Sequence, residues 1–213
     1  MDIKIIDNRT DLAVCIKPAG IVSEDAGMVR LLKEQLGCDI LTVHRLDKPA
    51  SGLMVYAKTK EAAASLSESI RSGSFGKTYL ACVPDRDLPD EGVMEDLLFH
   101  DSSKNRSYTV KRMRRGVRQC RLSYTVVGRK NGLALVRIKL DTGRTHQIRA
   151  QFASRGMPLM GDRRYGSREV CPLALYSCGL SFPLPSSGET VQYSSYPFTY
   201  PFDLFAAIDD TNT

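Results

Sequence analysis

The sequence predicts an α+β fold: a mixed, mainly antiparallel sheet with a few flanking helices. Short runs rich in aliphatic and β-branched residues recur along the 213-residue chain, bounded by glycine, proline and asparagine. Two of these runs, 122–127 and 133–140, flank Asn131-Gly132, a pair suited to the tight turn of a hairpin. Helical spacing of apolar residues is confined to a few short segments, the inserted helices of such a fold.

The N-terminus, MDIKIIDNRT, places acids among its hydrophobic residues and has no cleavable apolar core, so it reads as a first strand of the mature protein. Residues 12–16 form a second strand that stops in the turn Lys17-Pro18-Ala19-Gly20. Leu31, Leu32, Gln35 and Leu36 predict a helix from about Met28, closed by Gly37. A strand at 52–58 follows, then an amphipathic helix at 60–72 with Gly73 as its stop. Further strands are expected at 77–83, 108–113, 122–127 and 133–140. Residues 145–155 read as a helix with Thr145 at its N-cap, Ile148 and Phe152 turned to the core, and Gly156 after it. A last strand is expected at 173–182, and the proline-rich end from Pro183 reads as irregular. No repeat, low-complexity tract or linker interrupts the chain, so residues 1–213 are expected to form one domain.

An apolar content of 42% is enough for a substantial core, yet no window of eighteen apolar residues appears, so a cytoplasmic protein without membrane contact is expected. The six cysteines, 15, 38, 82, 120, 171 and 178, contain no C-x-x-C pair and suit buried small hydrophobes in a reducing compartment. With three histidines in the chain, no metal site is expected. The net charge of +6 is concentrated: residues 102–127 hold eight lysines and arginines and no acid, centred on Lys111, Arg112, Arg114 and Arg115. Such one-signed density favours a polyanion as partner over an ordinary solvated hairpin.

One segment carries chemistry. His44-Arg45-Leu46-Asp47-Lys48-Pro49-Ala50-Ser51-Gly52 sets a single carboxylate in a basic turn that feeds straight into a strand. Gly143-Arg144-Thr145-His146-Gln147-Ile148-Arg149 offers matching cations. A carboxylate beside an arginine is favoured in its ionised form, and an oriented carboxylate is a nucleophile. In order along 15–183, IKPAG, HRLDKPASGLMVYAK, KTYLA, GRTHQIRAQFASRGMPLMGDRRYG and PLALYSCGLSFP resemble the signature motifs of the RluA family of pseudouridine synthases, which isomerise uridine in RNA.

The resemblance implies a pseudouridine synthase fold with a central catalytic cleft, no cofactor, and an RNA substrate, ribosomal or transfer; a monomer is expected. It leaves no room for a separate N-terminal S4-type RNA-binding domain, because the IKPAG motif begins at residue 16. By position it makes Asp47 the catalytic aspartate, Arg149 the arginine that pairs with it, and Tyr79 the tyrosine that stacks on the target base and is implicated in removing the proton from carbon 5. Arg45 would fill the gap left by the flipped base. His44, Lys77, Arg144 and His146 are further candidates for RNA contact or loop support, beside the basic residues Lys111, Arg112, Arg114 and Arg115. Relatives carry threonine where Ala50 stands, which removes a hydroxyl from the loop.

Glycosidic-bond hydrolases use a second carboxyl as acid. Asp141 and Asp162 are the nearby candidates, but Asp141-Thr142-Gly143 and Gly161-Asp162-Arg163 read as turns, as do Ser51-Gly52 and Gly161 themselves. One placed acid favours an isomerase. The competing readings are a catalytically silent RNA-binding module and a nucleoside or glycoside hydrolase.

Overall fold

The computed structural model describes residues 1–205. In chain order the strands and helices are β1 (Ile5–Asn8), β2 (Leu12–Lys17), α1 (Arg30–Leu36), β3 (Leu41–Thr42), β4 (Ser51–Ala57), α2 (Lys60–Ser72), β5 (Gly76–Pro84), β6 (Glu91–Asp101), β7 (Arg106–Val110), β8 (Val117–Lys130), β9 (Leu133–Leu140), α3 (Gln147–Ser154), β10 (Leu175–Pro183) and β11 (Thr190–Ser194). This is the expected mixed α+β class, mostly sheet with three α-helices among the described residues. Two compact units are present. The first comprises Met1–Thr78 and Tyr176–Tyr196; the second comprises Tyr79–Leu175 and the described residues from Pro197 onward.

In the first unit the strands run in the order β1-β2-β4-β10, with β3 added to β4 and β11 to β10. β4 lies antiparallel to β2 and parallel to β10. Every residue of β4 from Gly52 to Ala57 is buried, as expected of a strand with neighbours on both sides and both faces covered. Leu53, Val55 and Ala57 pack on Ala62 and Leu66 of α2 and on Phe75, Leu180 and Phe182. α2 takes the expected bounds because Thr59 caps it, its hydroxyl accepting from the Ala62 amide, and Gly73 ends it in the left-handed conformation.

Gly52 lies in the strand expected from 52 and not in the alternative Ser51-Gly52 turn; its φ is +116°, and a Cβ there would lie 2.3 Å from the Ser177 carbonyl oxygen. Only glycine permits β10 to approach β4 this closely.

In the second unit the order is β9-β8-β6-β7, all antiparallel. Asn131 and Gly132, both at positive φ, form the predicted turn between β8 and β9. β6 was not expected at all. Its sequence, EGVMEDLLFHD, has Glu91 and Glu95 on its exposed face and buries Met94 and Leu98 on the other, where the half-buried Asp96 between them breaks the apolar alternation. α3 starts two residues later than expected: His146, at φ 54°, and not Thr145, occupies the cap position. The Gln147 side chain replaces the missing cap, its oxygen accepting from the Thr142 hydroxyl at 2.8 Å and the Arg144 amide at 3.0 Å. α1 is preceded by a wide turn over Asp25–Val29, and the tail expected to be irregular contributes β11.

Candidate active site

In the first unit the turn bearing Asp47 is built from the inside. Lys17, the lysine of IKPAG, has no exposed surface, and its ammonium donates to the carbonyls of Pro18 (2.8 Å), Ile21 (2.8 Å) and Lys48 (3.2 Å). It thereby ties the loop after β2 to the residue next to Asp47. Burial brings its pKa down from 10.5 to about 8, and the charge of Asp47 opposes that fall. Ser23 holds the other side reciprocally, donating to the Leu46 carbonyl (2.9 Å) and accepting from the Leu46 amide (3.0 Å). The turn closes with the Ala50 amide on the Asp47 carbonyl at 3.0 Å, and Ala50 is buried. These bonds support the loop with no hydroxyl at position 50.

His44 is interior. Its Nε2 accepts from the Val55 amide at 3.2 Å and its ring packs on Phe75, 5.4 Å between centroids, which fits the loop-support reading of this residue. Burial, with Lys77 nearby, drops its pKa to about 3, which keeps it neutral. Lys77 is part-buried with its ammonium 5.2 Å from the Phe75 ring centroid, and burial lowers its pKa. Arg45 is exposed and ion-paired to Glu24 at 2.9 Å.

In the second unit Tyr79, on β5, is 6% exposed. Arg149, on α3, is 3% exposed and donates through Nε and Nη2 to the two carboxylate oxygens of Asp162, at 2.7 and 2.8 Å. The backbone of Asp162 does lie in a turn as expected, its carbonyl accepting from the Tyr165 and Ser167 amides, but its side chain makes no cap bond and instead clamps the buried guanidinium with the two parallel bonds that favour arginine. The Tyr165 ring lies 5.0 Å from the Arg149 guanidinium, and its hydroxyl accepts from the Ser107 amide and bonds His146 Nδ1 at 3.1 Å. The Ser107 hydroxyl gives its only proton to the Thr145 carbonyl, so His100 must donate to it through Nδ1. His146 is therefore a fixed interior residue of this network. Asp141, the other turn candidate, is ion-paired with Arg121.

Lys111, Arg112, Arg114 and Arg115 are exposed between β7 and β8, and no acid pairs with any of the four among the described residues. Arg114 rests over the Phe99 ring at 5.1 Å. Arg144 is exposed too, its Nε donating to the Gln119 carbonyl at 3.3 Å. Sequence reasoning passed over Lys17, Ser23, Asp162 and Tyr165 as site residues, although three of them stand inside or beside quoted motifs. Their partners are distant in sequence, so spacing carried no signal for them.

Comparison with known proteins decides what this arrangement belongs to. The family model described as RNA pseudouridylate synthase matches residues 11–154. The chain is a member of the RNA pseudouridylate synthase family. It is 30% identical over 212 residues to the uncharacterized RNA pseudouridine synthase YlyB of Bacillus subtilis, covering 92% of this chain and 69% of that one. It is 32% identical over 220 residues to ribosomal large subunit pseudouridine synthase D of Neisseria meningitidis, covering 92% of this chain and 58% of the relative. Against YhcT of Bacillus subtilis, also an RNA pseudouridine synthase, the chain again spans 58% of the relative's length. In fold it is similar to the solved human RNA pseudouridylate synthase domain containing 1, with a TM-score of 0.78, 22% identity, and 94% and 85% of the two chains covered. Among the described residues no helix is long and apolar enough to cross a membrane. All six cysteines are free thiols; Cys15, Cys82 and Cys120 are buried as expected, whereas Cys38, Cys171 and Cys178 are only partly so.

Proposed function

We propose that this chain converts uridine in RNA to pseudouridine, with Asp47, Tyr79 and Arg149 acting on one flipped nucleotide. The carboxylate of Asp47 assists rupture of the bond between ribose carbon 1 and uracil N1. The released uracil turns within the site and rejoins the ribose through carbon 5, whose proton is lost as N1 gains one, so atoms balance without a co-reactant. Tyr79 stacks on the base and takes that proton; Arg149 holds the acid charged and placed. The nucleotide must leave the RNA stack to reach them, and Arg45 fills the space it leaves.

The observation that carries the reading is the Asp47 turn. Its backbone is fixed on both sides by the buried Lys17 ammonium and by Ser23, the preorganisation a reacting carboxylate requires, in a chain of this family. The exposed, acid-free loop at Lys111, Arg112, Arg114 and Arg115 supplies a grip on phosphates, with Arg144 beside it in charge. Ribosomal RNA is the favoured substrate, since relatives are named for the ribosomal large subunit. The protein acts without cofactor, as a cytoplasmic monomer.

The test incubates the chain with ribosomal and transfer RNA from a strain lacking the gene and maps carbodiimide-reactive positions. New labelled uridines without change of RNA mass are expected. Release of free uracil would instead identify a hydrolase, and salt-sensitive binding with neither product a silent binder.

A further inference from the structure

Arg106 opens β7 and has no role in the site described above. Its guanidinium carbon lies 5.3 Å from the Tyr108 ring and 5.0 Å from the Tyr165 ring, both within cation–π range. Its Nε is buried and without a hydrogen-bond partner, and no carboxylate or carbonyl accepts from its guanidinium among the described residues.

The obvious acid is turned away. Asp101 faces Arg106 in the β6–β7 register, but its Oδ1 accepts from the Ser103 hydroxyl (2.6 Å) and from the amides of Ser103 (3.0 Å) and Lys104 (3.3 Å). Its other oxygen lies 3.9 Å from the Lys104 ammonium. Arg164 strengthens the positive field: its Nη1 donates to the carbonyls of Lys104 (2.9 Å) and Asn105 (3.1 Å), which fixes a second guanidinium at the same turn. Tyr165 thus touches two arginines of different status. Arg149 has its charge answered by Asp162; Arg106 does not.

From this geometry we infer that Arg106 is a seat for a phosphodiester of the RNA substrate, an assignment that rests on the RNA reading above. A part-buried guanidinium with unmet donors is costly unless an anion completes it. The two rings limit its motion before binding, so little side-chain entropy is lost when a ligand docks. With tyrosines already against it, the group offers N–H donors for oxygens and not a free face for a base. Two oxygens of one phosphate match its planar fork, and the neighbouring Arg164 guanidinium disfavours a cationic ligand.

The experiment measures binding of a fluorescein-labelled oligouridylate to the full chain by anisotropy across a salt series. Arg106→Gln is expected to weaken binding about tenfold and to lower the slope of log K against log salt by about 0.7, one phosphate's worth for a single strand. An unchanged slope and affinity in that variant, with wild-type binding intact, overturns this inference alone. If the wild-type chain itself shows no salt-dependent binding, both this inference and the RNA function fall. Should Arg106→Gln fail to fold, Arg106→Lys serves: it keeps the charge but loses the fork and the stacking, so a roughly threefold weaker affinity with an intact slope is expected, and wild-type affinity overturns the assignment. Inorganic phosphate against chloride at matched ionic strength separates the sources. Thermal stabilisation by free phosphate that Arg106→Gln abolishes, beside an unchanged RNA slope, places a free anion there and also overturns it.

Discussion

Asp162 and Lys17 decide how the two charged residues of the proposed reaction are held. Removing one member of a buried ion pair costs roughly 3–5 kcal/mol, because the survivor keeps its desolvation penalty. Asp162→Asn is therefore expected to lose about 3 kcal/mol in urea denaturation and to reduce turnover more than RNA binding; wild-type stability would show that the clamp on Arg149 is dispensable. Lys17 makes a prediction in pH. Its folded pKa is lowered to about 8 from 10.5. Below about pH 8 both folded and unfolded chains carry the proton, and the folded state bears the full cost of the buried charge. Between about 8 and 10.5 the unfolded chain binds more protons, so this residue makes stability rise with pH. Yet the neutral amine has two donors for three carbonyls, which loosens the Asp47 turn. Above about pH 8, turnover should fall while this contribution to stability rises; the two pH profiles, taken with and without Lys17→Met, check it. Asp47 was legible from HRLD because the motif is contiguous. Asp162 was not, since GDRRY reads locally as a turn and its real partner stands thirteen residues away on a helix.

Among the elements, β4 and the β7–β8 loop carry the sharpest consequences. Gly52→Ala would bring a methyl within 2.3 Å of a backbone oxygen at a φ that L residues avoid, so β10 must part from β4. A variant that is insoluble, or that has lost several degrees of melting temperature, is expected; unchanged melting would contradict the packing. Replacing Lys111, Arg112, Arg114 and Arg115 together by glutamine should cut the salt slope of RNA binding by about 2–3 and raise KM with little change in kcat, measured on the same RNA. Helix α2 was readable to the residue because its alanine-rich amphipathic interior and closing glycine agree, and the structure adds the Thr59 cap. β6 was hidden by two glutamates and two aspartates that lie on its exposed or half-exposed positions, and α3 was misplaced because His146 takes the cap position in the left-handed conformation without a capping side-chain bond, while the Gln147 side chain ties down the preceding loop.

On the scale of the whole molecule, the α+β class and the family followed from ordered motifs spread over most of the chain, each tied to a local turn or strand. Its division into two compact units did not, because the chain leaves the first unit within β5 and re-enters it within β10, with no composition break at either point. Asp47 belongs to the first unit and Tyr79 and Arg149 to the second. The most direct measurement compares Asp47→Asn with the wild-type chain on the same deletion-strain RNA, scoring pseudouridine and salt-dependent binding together. The account predicts no pseudouridine from the variant and binding within about twofold of wild type. Pseudouridine formed by Asp47→Asn at the wild-type rate would contradict it.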